Sequence, residues 1–99
     1  MKQRIVEIES DLQALIPGFL KNRTKDIIEL QSLMNESKFE EIEKLAHRMK
    51  GSTGSYGFLE MSEIAALLET KAKNQNLNEI QQMINQLKEI IESTEVKFI

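Results

Sequence analysis

Residues 76–91 read NLNEIQQMINQLKEII. Ile80, Met83, Ile84, Leu87, Ile90 and Ile91 follow the i, i+3, i+4, i+7 spacing of one helical face, with polar residues between them. Asn76 and Glu79 ahead of them suit a capping box, with Asn76 as N-cap and Glu79 at N3. The stretch predicts an amphipathic helix with one face to bury.

Similar stretches precede it. Leu59, Met61, Ile64, Ala65, Leu67, Leu68 and Ala72 predict a helix ending near Asn74, with Ile64, Leu67, Leu68 and Ala72 as its buried stripe. Ser37-Lys38-Phe39-Glu40 repeats the capping box and opens a helix with Ile42, Leu45, Ala46 and Met49 on one face. Phe19, Leu20, Ile27, Ile28, Leu30, Leu33 and Met34 predict a helix from about Pro17 to Met34. Pro17 suits a first helical position, where its missing N–H costs nothing. Short loops between amphipathic helices imply antiparallel neighbours, hence an all-α, up-down four-helix bundle. Residues 1–16 admit two readings. Ile5, Ile8, Leu12 and Leu15 fit a helix, yet Arg4–Ile8 also alternates in part like a strand. Glu95–Ile99 alternates too, so pairing of the two ends is open.

The chain has 99 residues, which predicts a single domain over 1–99. No apolar run approaches the length of a membrane span. MKQRIVEIES lacks an apolar signal core, which points to a cytoplasmic protein. The absence of Cys excludes disulfides and thiolate metal sites. A net charge of −3, with both signs interspersed, argues against nucleic acid as a partner. The only histidine, His47, excludes a multi-histidine metal site, and no metal or cofactor is expected on this chain. The five Met read as core filler, and Glu40, Glu41 and Glu43 as a solvated face.

With Ile42 at zero on a helical wheel, Leu45, Ala46, Met49, Thr53 and Tyr56 lie within about 60° of it, on the buried face. His47 falls at about 140°, Gly51 at about 180° and Gly54 at about 120°. The histidine therefore points away from its own core stripe, and the next two turns on its side carry no side chain. Each glycine costs about 0.5–1 kcal/mol against alanine in a helix interior. Cleared space beside the imidazole would explain that expense; a plain helix end at Gly51 would also explain it. Lys50, at i+3, shares the neighbourhood of His47. An ammonium there suits a histidine that at times carries negative charge, as a phosphoryl group would give it.

Ala46-His47-Arg48-Met49-Lys50-Gly51-Ser52, followed by Gly57, Leu68 and Glu69, resembles the histidine-containing phosphotransfer (HPt) domain. The family pattern is A-H-x-L-K-G-S, then Gly ten residues after the histidine and Leu-Glu at twenty-one and twenty-two. Met49 stands where the pattern has Leu. Leu15–Arg23 looks like the entry to the family's second helix, and the resemblance spans about residues 11 to 92.

The resemblance implies a phosphocarrier. His47 would accept a phosphoryl group from the aspartyl-phosphate of a response-regulator receiver domain and pass it to another receiver. The partners would be receiver domains or a histidine kinase, with Mg²⁺ on the receiver and the carrier a monomer. Lys50 would stabilise phosphate charge and Gly51 would leave access. Glu69, about 100° from Leu68 on its wheel, would sit at the core boundary and orient His47. Its alternative is a pair with Lys73 one turn along. No Gly-rich phosphate loop is present, so the chain is expected to be a carrier rather than a self-sufficient kinase. The competing class is a helical interaction module that docks on receivers without transferring phosphate. Lys21, Asn22 and Arg23 could rim a docking surface or be plain surface.

Overall fold

The computed structural model describes residues 4–99. Strand β1 (Arg4–Ile8) leads through a 3-10 turn (Ser10–Leu15) into four helices: α1 (Ile16–Asn35), α2 (Phe39–Ser55), α3 (Leu59–Lys73) and α4 (Leu77–Ser93). Strand β2 (Thr94–Phe98) follows. Each helix packs on the next and α1 closes on α4, which makes the expected four-helix bundle. Its core is the inward stripes of the helices, among them Leu30, Ile42, Ala46, Met49, Met61, Ala65, Leu68, Ile80, Ile84 and Leu87.

The three helix–helix loops share one geometry. In each, the residue after the C-cap is left-handed: Ser37 and Gln75 at φ 55°, Gly57 at φ 88°. Around each, the amide of the next residue bonds a carbonyl five back: Lys38 to Leu33, Phe58 to Thr53 and Asn76 to Lys71. The left-handed residue itself bonds three back, to Met34, Gly54 and Ala72 respectively. This is the Schellman pattern, which satisfies the orphan carbonyls of a helix end.

That geometry corrects the box expected at Ser37. Ser37 closes α1 instead of opening α2; Lys38 is the N-cap of α2, with no side-chain capping bond. Asn76 does cap α4, its side chain accepting from the Glu79 amide at 3.1 Å. The box there is half-formed, because the Asn76 amide is already bonded to Lys71 O and the Glu79 carboxylate pairs with Lys71 Nζ at 3.0 Å. Helix α1 begins at Ile16, so Pro17 occupies its second position.

The stripe of α3 is also corrected. It runs Met61, Ala65, Leu68 and Ala72; Leu67 is 47% exposed and Ile64 half-buried. Leu67 and Leu68 are adjacent, about 100° apart on a helix, and only one can face the core.

At the ends of the described chain the strand reading prevails. β1 and β2 pair in parallel, Arg4 opposite Thr94 through Ile8 opposite Phe98. Val6, Ile8, Val96 and Phe98 turn inward, while Glu7 stands opposite Lys97 on the exposed face. Arg4 anchors the sheet: its guanidinium bonds Glu60 of α3 and, at 2.6 Å, Ser93 of α4.

Candidate functional site

Helices α2 and α3 run antiparallel along a seam that can be followed residue by residue. Gly54 meets Ser62, His47 meets Glu69 and Glu43 meets Lys73. Each pair sums to the same number, the mark of one antiparallel register, and the steps of seven and four are those of a helical seam. Small residues close the seam at its Gly54 end; titratable ones occupy the other.

His47 projects from this seam with its side chain 67% exposed. Glu69, opposite, is 17% exposed, held at the core boundary by Leu68 beside it in the core. Its Oε2 lies 3.1 Å from His47 Nδ1. A carboxylate can only accept, so in this contact Nδ1 carries the proton. In the neutral ring, the Nε2 nitrogen on the other side then keeps the lone pair. The pair Glu69–Lys73 does not form: Lys73 Nζ lies 3.8 Å from Glu43 Oε1 across the seam instead.

Lys50 is exposed, one turn beyond His47, and makes no ion pair among the described residues. The next residue, Gly51, faces open space: a Cβ built there meets nothing within 4 Å. Gly54 differs from expectation. A Cβ there would lie 3.2 Å from Ser62 Oγ, so this glycine admits α3 and clears nothing around the imidazole. Ser62 Oγ in turn donates to the Lys50 carbonyl at 3.0 Å, tying α3 to the turn of α2 that follows His47.

Arg23 is not a rim residue. Its side chain is 16% exposed and lies over the Phe19 ring, 5.0 Å from the centroid. Its Nε bonds Asp26 at 2.8 Å and its Nη1 bonds Ser52 on α2 at 2.9 Å. Phe19 itself packs tilted on Tyr56 and stacks on Phe58, at 4.5 and 5.1 Å between centroids. Arg23 thus fastens α1 to α2 one turn past the histidine, while Lys21 and Asn22 stay exposed. Tyr56 is half-buried in that aromatic cluster. Sequence reasoning passed over this clasp and Ser62, read Glu43 as part of a solvated face, and gave Lys73 only as the alternative partner of Glu69. Ser62, Glu43 and Lys73 follow from the seam register once His47 is set against Glu69.

Chemically the arrangement offers one solvent-facing imidazole whose Nδ1 is turned toward a carboxylate. A free ammonium lies a turn away, and the neighbouring position on that face bears no side chain. Such a group suits nucleophilic attack near neutral pH. No helix among the described residues is long and apolar enough to cross a membrane. No curated protein and no solved structure matches the chain. The family model of the Hpt domain matches residues 5–95, and the chain belongs to that family.

Proposed function

We propose that this protein is a histidine phosphocarrier of a phosphorelay, with His47 as the phosphoacceptor. Family membership supports the coarse role, histidine phosphotransfer between receiver or kinase domains. The contact of His47 Nδ1 with Glu69 is the observation that carries the assignment to a nitrogen, because it directs the reactive lone pair to Nε2.

In the reaction, Nε2 of the neutral ring attacks the phosphorus of a receiver's aspartyl-phosphate. The P–N bond forms as the acyl O–P bond breaks, and the electron pair of that bond leaves on the aspartate. The ring becomes cationic and keeps its proton on Nδ1, where the Glu69 carboxylate offsets the charge. Lys50 faces the incoming phosphoryl oxygens. Transfer to a second receiver runs the same steps backwards. Phosphoryl transfer depends chiefly on positioning and charge neutralisation. The receiver brings the acidic pocket and Mg²⁺; this chain brings an oriented ring on an accessible helix face.

The test is incubation with a ³²P-labelled phospho-receiver. Label is expected on this protein as a base-stable, acid-labile adduct, and His47→Gln abolishes it with the melting curve unchanged. Label on the Gln variant overturns the assignment. Stable complex formation without any transfer by the wild-type protein establishes the docking module instead.

A further inference from the structure

Glu69 has two nitrogen donors to choose between. His47 lies across the seam, and Lys73 lies four residues on along α3. Glutamate followed by lysine at i+4 is the favourable order for an intrahelical pair. Left to helix geometry alone, Lys73 would therefore compete for the carboxylate that His47 uses. The structure has resolved this competition in one direction: Lys73 reaches across to Glu43 at 3.8 Å, and Glu69 stays on Nδ1 at 3.1 Å.

Glu43 sits one turn before His47 on the same edge of α2, which puts it opposite Lys73 in the seam register. The groups form a square, with Glu43 and His47 on α2 and Lys73 and Glu69 on α3. Both contacts of the square run across the seam, and neither runs along a helix. The remaining cations of this part of α2 are elsewhere: Lys44 is drawn to Glu40 at 3.5 Å, and Arg48 and Lys50 are exposed.

We propose that Glu43 is a positioning residue. By holding Lys73 against α2, it reserves the Glu69 carboxylate for the Nδ1–H of His47 and so sets which ring nitrogen is free to react. Its effect on phosphoryl transfer rests on the carrier reading above; the tautomer itself does not.

The test therefore reads the tautomer, with no phosphoryl donor present. Long-range ¹H–¹⁵N correlation spectra of the ¹⁵N-labelled full chain, in alkaline solution where imidazole is neutral, distinguish Nδ1–H from Nε2–H. The wild-type protein is expected in the Nδ1–H form. Glu43→Gln should lower the Nδ1–H to Nε2–H ratio about twofold, the size of effect an exposed i,i+4 pair can exert. Adding Lys73→Gln to that variant should return the wild-type ratio. An unchanged ratio in Glu43→Gln overturns the proposal. So does a shift that persists in the double variant, since the charge of Glu43 would then act directly and not through Lys73. Loss of receiver-dependent labelling in a protein with the expected tautomers would overturn the carrier reading and leave the positioning role standing.

Discussion

Nδ1 of His47 has the Glu69 carboxylate 3.1 Å away, and the roles of the neighbouring residues can be separated by substitution. Glu69→Ala removes the acceptor. A hydrogen bond to a charged group contributes about 1.5 kcal/mol, so receiver-dependent labelling of His47 should slow about tenfold. Glu69→Gln keeps an amide oxygen that can accept from Nδ1–H but lacks the charge, and should recover part of that rate. Equal rates for the wild type and Glu69→Ala would leave Glu69 without a role in the transfer. Gly51 acts through space and not through the ring. Gly51→Gln adds a side chain where none is met within 4 Å, with better helix propensity, so the variant should melt no lower. Docking of a receiver against that face should nevertheless suffer, slowing transfer about tenfold or more, as misplacement of reacting groups does. A small donor such as phosphoramidate should still label His47 in Gly51→Gln at the wild-type rate. A lower melting point with normal transfer would make the glycine structural.

At the scale of the helices, the same Gly→Ala change should have different signs at different positions. Gly51 is helical and open, so Ala there should stabilise by about 0.5–1 kcal/mol. Gly57 is the left-handed residue of the α2–α3 loop, at φ 88°. There an L-residue costs about 1–2 kcal/mol, partly offset by the lower entropy of the unfolded chain, and Gly57→Ala should lower stability by about 1 kcal/mol. Urea unfolding of the two variants checks both signs; two shifts in the same direction would contradict the loop geometry. Much of this level was legible in the sequence. The long periodic stretches around Ile80 and Ile42 predict their helices because one face must be apolar throughout. The position of His47 off that face, and of Glu69 at the edge of its own, follows from the same periodicity. Ser37 was harder, since a serine three residues before Glu40 suits a cap equally well on either side of a loop. What decided it is the Schellman pattern of backbone bonds, which leaves no composition signal when the left-handed residue is Ser or Gln instead of Gly. The role of Gly54 escapes the sequence for a related reason. A wheel shows which way a residue points on its own helix, but not that Ser62 of α3 stands 3.2 Å away.

Across the whole molecule, the least legible feature is the parallel pairing of β1 with β2, because two five-residue strands lying almost a full chain length apart give no local sign of their pairing. Those strands form a separate layer at one end of the bundle. Of β1, only Ile8 is buried, and among the described residues neither strand has a second neighbour. A ladder with so little buried apolar surface, closing so long a stretch of chain, belongs to the low-stability end of the local unfolding spectrum. Arg4 counters this by joining β1 to Glu60 of α3 and Ser93 of α4, and Ser10 adds a 2.7 Å bond to the Ile99 carbonyl. The His47–Glu69 seam uses none of these groups. Arg4→Ala should therefore cost about 1–2 kcal/mol in the sheet, through the lost bonds and the lost packing of its half-buried stem. In native-state hydrogen exchange the amides of 5–8 and 95–99 should exchange roughly tenfold faster, as that loss requires. The amides of α2 and α3 should keep their protection, and receiver-dependent labelling of His47 should stay at the wild-type rate. Equal loss of protection in α2 and α3 would show that the sheet opens only with the bundle, and that the two ends of this molecule fold as one unit.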